Sequence, residues 1–154
     1  MTDLYQRLTL ETGILAHDGL SQFSIRYDSA RSLYYIWGEH RTNSGNPYVL
    51  WSPIPNTFPY GRPPLYVWSP NPLPAYGGGT INSYGTSGTS HAMHTLSNGP
   101  NGEVQICHWR DDRWHSGITL NKVLLKGIIW LEAYEQHLMT GRSIADFVST
   151  MAPA

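Results

Sequence analysis

A chain of 154 residues with a net charge of −1 has the size of one domain around one core, and its charge balance excludes a strongly basic nucleic-acid binder. A single cysteine rules out an intrachain disulfide and a cysteine-rich zinc site and suits a reducing cytosol. No secretory leader or membrane-spanning apolar run is visible, so the expectation is one soluble cytoplasmic domain, residues 1–154, that engages neither membrane nor nucleic acid.

Near the start, Leu4, Leu8 and Leu15 recur with Tyr5, Arg7 and Glu11 between them, and Thr2 or Asp3 can cap the run. This predicts a helix over residues 2–15, with Gly13 as the residue expected to shorten it. Three runs rich in aromatic and β-branched residues follow at 23–27, 33–40 and 47–51, divided by the turn-forming clusters 28–31 and 43–46. They predict an antiparallel meander.

From residue 52 to 74 the chain is rich in proline, which removes ladder donors and fixes φ. An ordered extended connection is expected there, with 65–68 as a fourth strand at the edge of the sheet. Residues 75–91 are dominated by Gly, Ser and Thr, a composition with little apolar surface to offset ordering, so 76–90 is expected to be the most mobile internal segment and the first to be cut by protease. No phosphate-cradling Gly-x-x-x-x-Gly-Lys-Ser/Thr pattern occurs in it, and no nucleotide or other cofactor is expected. His91, His94, His108 and His115 are candidate metal ligands by type, but their spacing is not that of a compact site, and no metal is expected.

Between Gly102 and Trp109 lies the segment with the most chemical content. Val104 and Ile106 alternate with Glu103, Gln105 and Cys107, the period of a short strand with one buried face, which turns the Cys107 thiol away from the core. A thiol where a strand runs into a polar loop is accessible to act as a nucleophile, with His108 or Arg110 available to assist its ionisation. The charged turn Arg110-Asp111-Asp112-Arg113 comes next. Thr119 can then cap a helix over 120–138, whose apolar stripe is Leu120, Val123, Leu124, Ile128, Leu131, Tyr134 and Leu138, with Asn121, Lys122, Lys126, Glu132 and Gln136 on the wetter side. Gly127 inside that helix marks close packing on another element, and Gly141 supplies the stop. A short helix is expected over 143–148.

The run Trp114-His115-Ser116-Gly117-Ile118-Thr119-Leu120-Asn121-Lys122-Val123-Leu124-Leu125 resembles the segment that follows the active-site cysteine of ubiquitin-conjugating enzymes. Gly102 to Cys107 is similar to that family's glycine turn leading to the catalytic cysteine, and Phe58-Pro59 followed by Pro63-Pro64 and a short strand matches a third segment. The continuation Trp130-Leu131-Glu132-Ala133-Tyr134-Glu135 looks like the prokaryotic branch, which suggests a setting such as antiphage defence.

The resemblance implies an α/β (α+β) ubiquitin-conjugating-like fold: N-terminal helix, four-stranded antiparallel meander, active-site segment, C-terminal helices. It implies that Cys107 accepts a ubiquitin-like protein as a thioester from an activating enzyme and transfers it to a protein amine. His94 matches the start of the family's His-Pro-Asn signature, but Thr95-Leu96 stand where Pro-Asn would follow, so Asn98 or Asn101 is the candidate to steady the oxyanion, against plain Asn-Gly turns of a hairpin. Asp111 or Asp112 could orient the incoming lysine. Two other classes stay open: a Cys-His hydrolase with His94, His108 or His115 as base, and a catalytically silent module that binds a ubiquitin-like partner.

Overall fold

The computed structural model describes residues 3–148. Helix α1 (Leu4–His17) starts where the Asp3 carboxylate accepts the Gln6 N–H at 2.8 Å, answering one of the free donors of the first turn. Gly13 faces open space and does not shorten the helix, which runs on to His17. Leu8, Glu11 and Leu15 form its buried side.

Strands β1 (Phe23–Asp28), β2 (Leu33–Arg41), β3 (Pro47–Ile54) and β4 (Leu65–Ser69) make the antiparallel meander. Two short strands then enlarge it: β5 (Thr95–Leu96) and β6 (Gln105–Ile106) give a six-stranded sheet in the order β1-β2-β3-β4-β6-β5. The expectation of four strands with 65–68 at the edge is therefore corrected. Pro63 and Pro64 precede β4 and none falls within it, so its residues keep their donors, and Leu65 and Tyr66 pair with Ile106 and Gln105.

Period-two alternation sorts the sheet into two faces. Ile36, Leu50, Leu65, Val67 and Ile106 are fully buried on the side covered by helix α2 (Leu120–Thr140). Gly127 is the point of closest approach, because a Cβ there would come within 2.6 Å of Leu65 Cδ2 and 3.1 Å of Leu50 Cδ1. The contact explains a glycine that weakens the helix by about 1 kcal/mol relative to alanine. On the other face Trp37, Trp51, Tyr66 and Trp68 pack on one another, with Trp51 stacked on Tyr66 at 5.4 Å and Trp37 edge-on to Trp68 at 5.2 Å.

Along α2 the buried positions include Leu120, Val123, Leu124, Leu131 and Tyr134, as the sequence pattern required, while Ile128 and Leu138 are half-buried. Asn121, expected on the wet side, is buried, since its amide donates to Asp18 and its carbonyl accepts from the Thr119 hydroxyl. Thr119 thus does not cap the helix through its side chain. The Leu120 N–H is instead taken at 2.8 Å by Glu11, whose buried carboxylate also pairs with Arg7 at 2.8 Å.

The Gly/Ser/Thr segment is not the loose loop its composition suggested. Tyr134 donates to Pro74 O at 2.6 Å and Trp130 Nε1 to Met93 O at 3.0 Å, so two stacked aromatics of α2 hold both of its ends. Between them Ile81 is fully buried, and Asn82 accepts from Leu73 N while donating to Gly102 O. Few apolar anchors suffice where the backbone donors find fixed partners. Helix α3 (Ala145–Val148) begins later than expected and is joined to the same segment by Ala145 N to Ala92 O at 2.9 Å. Among the described residues no helix is long and apolar enough to cross a membrane.

Candidate functional site

Strands β5 and β6 form a hairpin in which Thr95 faces Ile106 and Leu96 faces Gln105. One step further out, Cys107 N donates to His94 O at 3.1 Å, so the hairpin register sets the two residues opposite each other. His94 reaches this position with φ of 56°, a left-handed conformation rare outside glycine and costing of order 1 kcal/mol or more. Strained residues of this kind gather at sites under functional constraint. Val104 and Ile106 are buried and Cys107 is half-buried, off the core face but not open to bulk water. Glu103 departs from the alternation: it is buried because the Asn101 N–H binds its carboxylate at 2.8 Å.

Three cations converge on the thiol. Burial pushes Cys107 above the usual thiol range, while Arg62, Lys126 and Arg110 pull it down and Asp111 pushes it up again. Arg62 comes from the proline-rich connection and donates to Asp111 Oδ1 at 2.8 Å, tying that connection to the turn after Cys107. Arg110 closes on Asp112 at 2.6 Å. Lys126 rises from α2, donates to His108 O at 3.0 Å and sits 3.5 Å from the centre of the Trp109 ring. Desolvation holds this amine below the usual lysine range, and the thiol opposes that shift. Burial outweighs the three cations, so the thiol stays above its usual range and the cations offset only part of the cost of forming the thiolate.

His108 is not placed to serve as such a base. Its ring is buried, its Nε2–H donates to Pro63 O at 2.7 Å, and burial together with Arg62 pushes its pKa down to about 3. Its Nδ1 is buried with no partner and so makes no bond to the thiol. His115 Nδ1 accepts from Gly117 N at 3.1 Å. Burial, the largest cause, and the charges of His91 and Lys126 keep His94 below the ordinary histidine range.

Of the sequence candidates, the structure brings together Cys107, His94 and, through Arg62, Asp111. Asn98 is corrected. Its side-chain N–H donates to Asn82 O at 2.8 Å and its backbone N–H to Ser87 O at 2.8 Å, while its Oδ1 is buried without a partner. It also lies beyond the end of β5, on the side of that strand away from His94. Asn101 serves the turn between Gly99 and Glu103, where its backbone N–H and side-chain amide donate to the Glu103 carboxylate. Asp111 is open to solvent but held by Arg62, and Asp112 is held by Arg110.

Sequence reasoning missed Arg62 and Lys126. The one signal for Lys126 was its place next to Gly127, where the helix closes on the sheet and carries its neighbour inward. Among the described residues no group of three or more His, Cys, Asp or Glu side chains could hold a metal ion. No family model, no curated protein and no solved structure matches this chain.

Proposed function

We propose that this chain is a ubiquitin-conjugating-like acyl carrier: Cys107 takes the C-terminal carboxyl group of a ubiquitin-like protein from an activating enzyme and gives it to a protein amine. The observation that carries the reading is the position of the one thiol. Cys107 directly follows β6, half-buried and under the electrostatic influence of Arg62, Lys126 and Arg110, opposite the left-handed His94 and before the turn that leads into α2. The order of helix, meander, thiol and long helix agrees with the family resemblance in the sequence.

The chemistry asks little of a base. The Cys107 thiolate attacks the thioester carbonyl on the activating enzyme, forming the new C–S bond as the carbonyl π pair moves to oxygen, and collapse restores the carbonyl while the old C–S bond breaks. The departing thiolate takes up the proton Cys107 released. Amine attack then repeats the sequence with Cys107 as leaving group; the proton the amine loses goes to the departing thiolate, and an amide results. A hydrolase reading needs His94, His108 or His115 to activate the thiol; His108 is committed to Pro63 O and His115 Nδ1 to Gly117 N, which leaves His94 as the base that reading would use.

Mixing the protein with ATP, an activating enzyme and a ubiquitin-like protein that charge each other is expected to yield a larger species that a thiol reductant removes. Cys107→Ser converts it to a reductant-resistant oxygen ester, and Cys107→Ala abolishes it. An adduct that persists in Cys107→Ala, or none in the wild type with partners that charge each other, rejects the reading.

A further inference from the structure

The three cations at Cys107 differ in what they are bound to. Arg62 is neutralised by Asp111 and Arg110 by Asp112, whereas none of the ion pairs among the described residues includes Lys126. Its ammonium is nonetheless fixed. The His108 carbonyl accepts from Nζ at 3.0 Å and the Trp109 ring lies under it at 3.5 Å. Trp109 in turn packs edge-on against Trp114, whose indole N–H donates to Pro59 O at 2.9 Å. A partly desolvated cation that is held still and given no carboxylate is a poor device for stability, since burial disfavours it and no anion answers. It is an effective device for an anion that forms later.

We propose that Lys126 is the standing counter-charge of the Cys107 site, offsetting the negative charge that forms on the thiolate and on the carbonyl oxygen during acyl transfer, in the role the missing asparagine amide would fill. The carbonyl half of this assignment rests on the acyl-carrier reading; the thiolate half does not. Nζ binds the carbonyl of the residue that follows Cys107, and the thiolate and the ammonium each favour the other's charged form. Nearby titratable groups are Asp111 and Asp112, both already paired, and His94 and His108, both kept neutral near pH 7 by burial.

The test needs no acyl partner: the rate of Cys107 alkylation by iodoacetamide is measured against pH for the wild type, Lys126→Gln and Lys126→Arg, with folding checked by thermal melting. Lys126→Gln is expected to move the profile to higher pH and to slow the reaction at pH 7 by about threefold to tenfold, a shift of up to one pKa unit. Lys126→Arg keeps the charge and is expected to restore most of the rate. A Gln profile that overlays the wild type, or an Arg profile displaced as far as Gln, overturns the assignment. Should Lys126→Gln fail to fold, the reciprocal measurement decides: the NMR titration of Lys126 Nζ must fall to lower pH in Cys107→Ala, and an unchanged titration overturns the proposal. Because alkylation proceeds without an activating enzyme, its failure leaves the thioester assay standing, and failure of the thioester assay leaves the thiolate result standing.

Discussion

Helix α2 meets a charged side chain at its start and another on its second turn, and the two are handled in opposite ways. At the start, Glu11 is fully buried and all its bonds are answered: Arg7 pairs with one oxygen and the Leu120 N–H with the other, while Arg7 also donates to the carbonyls of Ser116 and Ile118. On the second turn, Lys126 has a carbonyl and an indole but no carboxylate. The first arrangement joins two helices and leaves nothing over. The second leaves a charge without a carboxylate, bound to the carbonyl of the residue that follows Cys107. A fully satisfied buried charge reads as architecture, and a fixed but unsatisfied one reads as chemistry.

Breaking the first arrangement should have the larger effect on folding. Glu11→Ala strands Arg7 among carbonyls and removes the partner of the Leu120 N–H, so a loss of about 3 kcal/mol in unfolding free energy is expected in urea titrations. A loss below about 1 kcal/mol would mean that the α1 to α2 junction is not held by this charge. The same change should leave the alkylation profile of Cys107 in place, since Glu11 serves the start of α2 rather than the thiol.

At the Cys107 edge the expected stability effect is a pH dependence. His108 resists protonation down to about pH 3 when folded, whereas an exposed histidine takes up its proton near 6.5. The unfolded chain therefore binds more protons as pH falls through 6.5, which lowers stability, and the loss continues toward pH 3. Between pH 7 and pH 5 this one group should remove about 2 kcal/mol, and His108→Gln, which can still donate to Pro63 O, should flatten the slope. Parallel slopes for the two proteins would assign the acid sensitivity elsewhere. His94, shifted in the same direction, adds to the slope in both proteins and cancels in the comparison.

The smallest effect is expected at Thr119. A side-chain cap would make Thr119→Ala cost about 1 kcal/mol. Its hydroxyl is bound to Asn121 and Glu11 supplies the cap, so a change within about 0.5 kcal/mol is expected from the same urea titrations.

Local patterns carried much of this fold without help. The alternation of Val104, Gln105, Ile106 and Cys107 and the three- and four-residue steps of Leu120, Val123, Leu124 and Leu131 each specify an element and its buried face, because side-chain direction repeats with the backbone period. Gly127 even announced its own packing contact. The six-strand order was not legible, since two-residue strands such as β5 and β6 carry too little pattern to be separated from turn.

What the sequence by itself determined is where the helices and longer strands lie, which side of each is buried, and that a single thiol ends a strand before the long helix. Only the tertiary structure decided who answers whom: that Glu11, 109 positions away, caps α2, that the Asn98 amide is spent on Asn82, that Arg62 reaches Asp111, and that Lys126 comes to rest beside Cys107 with no carboxylate. The physical reason is one of range. Periodicity is written into neighbouring residues by the geometry of a single backbone segment, whereas a charge or an amide chooses its partner by distance in space, and that distance exists only after the segments have packed.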